Sequence, residues 1–379
     1  MSWIALKMLT HNRGKYLGII LGITFASLLI AQQASIFCGV MLQTCGQIYD
    51  IQGADIWVMD PNVRFIDDIK PLSDNDLYRV RGVEGVAWAV KLYKGLTRSR
   101  LETGMFQQTI LIGLDDATLV GAPPKMLMGS LADLRKPDAV IMDLEGYQQL
   151  WPGEKPRLGK RFEMNDQMAE IVGICKASRT FQTFPVVYCR YGQALQFVPP
   201  ERKVMSFVLA QGQEGLTPDE VCRRIEKQTG LRALTGEQFI WTTLWYFMKE
   251  TGIPINFGIT VVLGFVVGAA IAAQTFYLFT VENIKQYGAL KAMGASNLTL
   301  MGMILLQTAL VSAIGYGLGL GVASWFGEMS NNADSKLAFF MPVQVLWGTG
   351  LAVLLISGVS SLLSLRRVMV LEPAVVFQG

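Results

Sequence analysis

VENIKQYGALKAMGAS, residues 281–296, is a short and mostly polar stretch held between two long apolar runs. Residues 257–280, FGITVVLGFVVGAAIAAQTFYLFT, precede it, and residues 298–326, rich in Leu, Gly and Ala, follow it. A helix needs about 20 apolar residues to cross a bilayer, and both runs supply them. The stretch between carries Glu282, Lys285 and Lys291, and lysines in a short connection mark the cytoplasmic side. Asn283 can serve as a cap, and Gly288 and Gly294 are expected to bend or end whatever helix forms.

The composition supports a membrane protein. Apolar residues make up 51% and charged residues 17% of the chain, and the mean hydropathy is +0.35. Such values are too apolar for an ordinary soluble domain. A net charge of +3 without any basic run gives no footprint for nucleic acid. His11 is the only histidine, which argues against histidine-based zinc sites and acid–base chemistry. The five cysteines (Cys38, Cys45, Cys175, Cys189, Cys222) show no C-x-x-C spacing. The last four fall in an external segment where a disulfide is permitted, although buried free thiols are common.

Taken in order, residues 1–16 mix Trp3, Ile4, Leu6 and Leu9 with Lys7, Arg13 and Lys15, the pattern of an amphipathic interfacial helix. Residues 17–42 read as a retained first transmembrane helix and not as a signal peptide, since no small-residue cleavage site closes the run. Gly14, Gly18 and Gly22 repeat on one face of its start, a small-xxx-small pattern that lets a second helix approach. On this reading Gly18→Leu or Gly22→Leu disturbs assembly more than Gly39→Leu.

Residues 43–255 read as an α+β domain of short strands and two or three helices. Ser73 caps a helix over residues 74–81, and Thr217 with Pro218 opens another that stops at Gly230. Phe239, Trp241, Trp245, Tyr246 and Phe247 mark either the external approach to the second span or a core helix. The spans then fall at residues 256–281, 298–326 and 342–365, with a short outer loop at 327–341. Gly315, Gly317, Gly319 and Gly321 lie inside the third span without a preceding strand, so Gly315 and Gly319 are read as helix-packing positions and not as a phosphate cradle. Arg366 and Arg367 close the fourth span and place the tail, residues 366–379, inside. Both termini are thus expected in the cytoplasm.

Glu282 and the run Tyr287-Gly288-Ala289-Leu290-Lys291-Ala292-Met293-Gly294-Ala295-Ser296 resemble the coupling loop of the MacB/FtsX-type ABC transporter permeases. The tail LEPAVVF, residues 371–377, resembles the ending of the DevC-type members, which serve heterocyst glycolipid export. This resemblance implies four transmembrane helices, a large periplasmic α+β domain between the first and second, and residues 282–297 as a cytoplasmic coupling loop. It assigns ATPase coupling to Glu282, Lys285, Tyr287, Gly288, Leu290, Lys291, Ala292, Gly294 and Ala295. It further implies a multi-pass protein of the bacterial inner membrane, dimeric with a second copy of itself. ATP and Mg2+ would be held by a separate ABC ATPase, with no cofactor in this chain. A periplasmic membrane-fusion protein and an outer-membrane channel would be further partners, along with membrane lipids.

The chain carries no G-x-x-x-x-G-K-[ST] loop and no G-x-S-x-G elbow, so it reads as a non-catalytic subunit. Asp67-Asp68 and Asp115-Asp116 read as solvated loop acids. The middles of the spans lack charges, as suits helices that transmit motion and not an ion path. Export by mechanotransmission is the leading expectation. The alternatives are an FtsX-like transmitter that activates an external cell-wall hydrolase, and a membrane-anchored enzyme with its site in the external domain.

Overall fold

The computed structural model describes residues 2–11, 13–332 and 337–369. The 371–377 tail motif therefore lies outside the described residues. The chain divides into a membrane unit (Met1–Val40 and Gly252–Gly379) and an external unit (Met41–Thr251).

Helix α1 (Ser2–His11) is followed by the long α2 (Arg13–Asp50). The external unit continues with β1 (Ile56–Met59), α3 (Asp74–Arg81), β2 (Val86–Arg100), β3 (Phe106–Leu114), β4 (Lys125–Gly129), β5 (Ala139–Asp143), α4 (Leu144–Leu150) and β6 (Arg161–Met164). Then come β7 (Gln167–Lys176), β8 (Val186–Arg190), α5 (Tyr191–Ala194), β9 (Phe207–Gly212), α6 (Pro218–Thr229), β10 (Arg232–Thr235) and α7 (Gly236–Glu250). The membrane unit ends with α8 (Ile253–Glu282), α9 (Ile284–Ala292), α10 (Asn297–Asn332) and α11 (Val343–Met369).

Among the described residues, four helical segments are long and apolar enough to cross a membrane: Tyr16–Asp50, Ile253–Glu282, Asn297–Ser330 and Val343–Leu362. The first helix runs beyond the residue-42 limit expected for its span because its last turns fold into the external unit. There Asp50 accepts hydrogen bonds from the Ser178 amide at 2.6 Å and its hydroxyl at 2.7 Å.

Glycine decides how closely the membrane helices approach. A side chain on Gly22 would meet Ile271 of α8 at 2.6 Å, and Gly268 of α8 lies against Ala26 in the same way. On another face of α2, Gly315 lies 2.8 Å from Ile23 and Gly319 lies 2.6 Å from Ser27, measured from an added Cβ. The Ser27 hydroxyl donates to the Tyr316 carbonyl at 3.3 Å, and the Tyr316 hydroxyl reaches the Leu346 carbonyl at 3.0 Å, tying α2 to α10 and α10 to α11. Gly22, Gly315 and Gly319 thus each lie against a neighbouring helix of the same chain. Gly18 touches only Thr275 at 3.8 Å, and Gly14 has nothing within 4 Å. Gly39 corrects the expectation made for it: an added Cβ would lie 2.7 Å from the Ala338 backbone. The chain passes Gly39 on its way into α11, a contact that no helical repeat announces.

The external unit is built on a ten-stranded sheet in the order β10-β1-β9-β2-β3-β8-β5-β7-β4, with β6 pairing β2 and β7. β2 joins its two halves. Residues from Val86 to Leu92 pair with β9, and residues from Tyr93 to Arg100 pair with β3. β9 points Val208 and Ala210 into a core shared with Leu77, Val80, Val221 and Ile225, and points Phe207 and Leu209 into a core shared with Trp57 and Phe239. Both faces of its sheet are therefore covered, as a nearly continuous apolar strand requires. α3 and α6 lie on one face and α7 on the other.

Local sequence sets the ends of these elements. The Ser73 hydroxyl accepts the Asp76 amide while Asp76 accepts that of Ser73, a capping box that starts α3. Thr235 and Gln238 do the same for α7. Gly230 ends α6 with φ of 70°. The aromatic run over residues 237–250 is divided between burial and exposure. Phe239 and Phe247 are buried, while Trp241 and Trp245 are exposed. All five cysteines are free, and burial raises the thiol pKa of Cys175, Cys189 and Cys222.

Candidate functional site

Within residues 281–296 the connection between the spans is a short helix, α9 (Ile284–Ala292), and not a loop throughout. α8 ends at Asn283, whose side-chain amide donates back to the Phe279 carbonyl at 2.8 Å. The expected cap at this position thus closes the preceding helix, and its side chain makes no capping bond to α9. Asn283 instead lends α9 its carbonyl, which accepts the amides of Gln286 at 3.0 Å and Tyr287 at 3.1 Å.

Gly288, expected to bend or end the helix, is a buried helical residue within α9. Gly294 ends it, with φ of 94°. The Ala295 amide reaches the Leu290 carbonyl at 3.0 Å, and the Gly294 amide reaches that of Lys291 at 3.1 Å. These two bonds make a Schellman motif, and Leu290 and Ala295 belong to the same apolar cluster. Ser296 then accepts the Thr299 amide at 3.3 Å and starts α10. The Met-Gly-Ala-Ser tetrapeptide at 293–296 is therefore a compact helix stop and restart.

α9 has two faces. Tyr287 and Leu290 are buried with Ala5 and Met8 of α1 and with Leu300, Met303 and Ile304 of α10. The Tyr287 hydroxyl donates to Gln307 Oε1 at 3.1 Å, and Gln307 Nε2 donates to the Ala5 carbonyl at 2.7 Å. Burial pushes the Tyr287 phenol up to about 12, against the hydrogen bond to Gln307, so it remains a donor at physiological pH. This corrects the role given to Tyr287. With 0% exposure it is an internal strut and presents no ring to a partner. Glu282, Lys285 and Ala292 are exposed, and Lys291 and Ala295 are half-buried.

The outward face also holds residues that the sequence reading passed over. Met293 is 76% exposed and Leu298 is 73% exposed, on either side of the Gly294 turn, and Gln286 is exposed beside Lys285. The signal for Met293 was in the sequence: it sits just before the terminating glycine, outside the buried set at 283, 287 and 290.

Comparison with known proteins bears on this site. The family profile described as FtsX-like permease C-terminal matches residues 258–373, which include α9 and its two flanking helices. Residues 258–373 are an FtsX-like permease domain. The resemblance to the MacB/FtsX-type ABC transporter permeases is thereby borne out, while closeness to the DevC type is not carried by it. Among solved structures, the chain is similar to the extracellular domain of the noncanonic ABC-type transporter YknZ from Gram-positive bacteria. That match has 15% identity, 48% of this chain and 98% of that one covered, and a TM-score of 0.33. It is also similar to the periplasmic region of MacB from Actinobacillus actinomycetemcomitans, with 13% identity, 54% and 96% covered, and a TM-score of 0.38. A search of curated proteins gave no match.

Proposed function

We propose that this permease is the transmembrane subunit of a MacB-like exporter of the bacterial inner membrane, working as a homodimer with a separate ABC ATPase. The observation that supports this most directly is the two-faced α9. Its inner face is fixed to α1 and α10, its outer face offers Lys285 and Gln286, and Met293 and Leu298 are exposed around the turn that follows it. Such a helix transmits a push without absorbing it, because the capped stop at Gly294 leaves no slack between α9 and α10. ATP and Mg2+ belong to the ATPase. Closure of that subunit moves α9, and through α8 and α10 the motion reaches the external domain, expelling cargo toward a membrane-fusion protein and an outer-membrane channel. Both termini lie in the cytoplasm. α1 packs against α9, which places the lysine-bearing N-terminal segment and residues 281–296 together.

The test is co-purification with the ATPase and measurement of its turnover. Met293→Ala removes an exposed apolar side chain that a docking groove would bury. It should lower complex retention and stimulated turnover by about tenfold, the effect of losing roughly 1.4 kcal/mol at one central contact. Unchanged retention and turnover for Met293→Ala and Lys285→Ala together refute the coupling role. A cell-wall hydrolase transmitter would show the same coupling but move no cargo in reconstituted vesicles.

A further inference from the structure

The external unit holds a cavity of about 690 Å3 that the coupling reading leaves without a role. Its size falls within the about 300–1,000 Å3 typical of small-molecule sites. One wall is aromatic. Phe65 stacks on Tyr246 at 4.3 Å, Phe247 meets Phe65 edge-on at 5.5 Å, and Phe181 leans on Phe247 at 5.3 Å. These rings come from two loops and the end of α7, and they form one apolar surface, far larger than lone surface aromatics need.

The polar part of the lining is already balanced. Lys94, 2% exposed in its side chain, is ion-paired with Asp67. Arg202 donates to the Leu96 carbonyl at 2.8 Å, and Glu201 beside it supplies the second carboxylate. Two cations face two anions, so a charged ligand would meet no net complement. Thr180 is the exception in this wall: it is 6% exposed, and its hydroxyl has no hydrogen-bond partner. A buried hydroxyl without a partner is costly. Rotation about its χ1 toward a ligand breaks no bond, since none exists.

We infer that this cavity binds an uncharged amphiphile, a single acyl chain or fused-ring body lying along the aromatic wall with a hydroxyl- or carbonyl-bearing head at Thr180. That such a molecule is the exported cargo rests on the exporter reading, but its binding does not, and the test needs neither ATPase nor ATP.

The full permease is reconstituted in vesicles and photolabelled with a monoacylglycerol carrying a diazirine in its chain, and the labelled peptides are mapped. Label is expected on the peptides holding Phe181 and Tyr246–Phe247 and is competed by unlabelled monoacylglycerol. The matching fatty acid and alkyltrimethylammonium probes should label these peptides several-fold less. Thr180→Val keeps the shape and removes the hydroxyl, and should cut labelling by about two- to tenfold, the range of one net hydrogen bond. Val204→Trp fills the cavity from another wall and should abolish it. The inference is overturned if label is confined to the spans, if charged and neutral probes label the cavity alike, or if folded Thr180→Val and Val204→Trp both label as the wild type does. Loss of ATPase coupling with labelling intact would strike the exporter reading alone.

Discussion

Replacing Tyr287 separates an internal strut from a docking anchor. Tyr287→Phe leaves Gln307 Oε1 without its donor, inside a cluster where no solvent can take over. A buried acceptor so stranded costs about 1–3 kcal/mol. Tyr287→Ala adds the loss of a fully buried ring, for which aromatic truncations cost about 3–5 kcal/mol. The two terms put Tyr287→Ala at about 4–8 kcal/mol, and a unit of this size loses about 2–4 °C of melting temperature per kcal/mol. Both variants should therefore melt lower in thermal unfolding of the permease alone, in amphipol and without ATPase, with Ala well below Phe. Gln307→Leu should also destabilise, because it strips the Ala5 carbonyl of its donor, and its effect should not add to that of Tyr287→Phe, since they share a bond. Met293→Ala should melt as the wild type does. The reasoning is refuted if Tyr287→Ala keeps the wild-type melting temperature and loses only the ATPase. Tyr287 would then be a surface anchor that reaches its partner by opening the cluster.

Two further outcomes follow from the packing and the buried acids. Gly39→Leu and Gly319→Leu should impair folding, judged by yield and monodispersity in detergent, whereas Gly317→Leu should not: the first two meet Ala338 backbone and Ser27, and Gly317 has nothing within 4 Å. Burial pushes the Asp143 carboxyl up to about 6, against the hydrogen bonds it accepts from the amides of Val186 and Gly146. A folded pKa above the unfolded value means the native state binds the proton more tightly, so this contribution is full below about 4 and lost as pH rises through about 6. The melting temperature of the wild type minus that of Asp143→Asn should thus rise on going from pH 7 to pH 5, and a flat difference would refute it.

What the sequence disclosed depended on how local the causes were. The four spans were legible because a bilayer demands an uninterrupted apolar run, which a linear reading counts directly. Gly294 was legible as a helix stop, since only a residue tolerant of left-handed φ ends a helix this way. Ser73 and Gly230 announced α3 and α6 by the same local chemistry. The division of the external unit was not legible, because it falls inside β2, where the pairing partner changes near Leu92 and Tyr93 without any shift in composition. The cavity was hidden likewise: Phe65, Lys94, Thr180, Arg202 and Tyr246 come from separate segments.

Tyr287 shows the limit most sharply. In a helix of nine residues a single aromatic ring fits a docking face and a buried face equally well, and what decides is whether other elements cover it. Here the covering residues are Ala5 and Met8, almost at the start of the chain, and Met303 and Ile304 beyond the turn. Burial of that ring is therefore a property of the assembled membrane unit, and it is the condition that lets Met293 and Lys285 face outward. A helix with Tyr287 outside would have to bring Asn283 and Leu290 out with it, since residues three and four apart share a face. That would both disturb the Asn283 bond to Phe279 and take Leu290 out of its apolar cluster. The inward ring and the outward methionine thus go with one rotation of the helix, fixed by the cluster around Tyr287 and Leu290 and by the Schellman stop at Gly294.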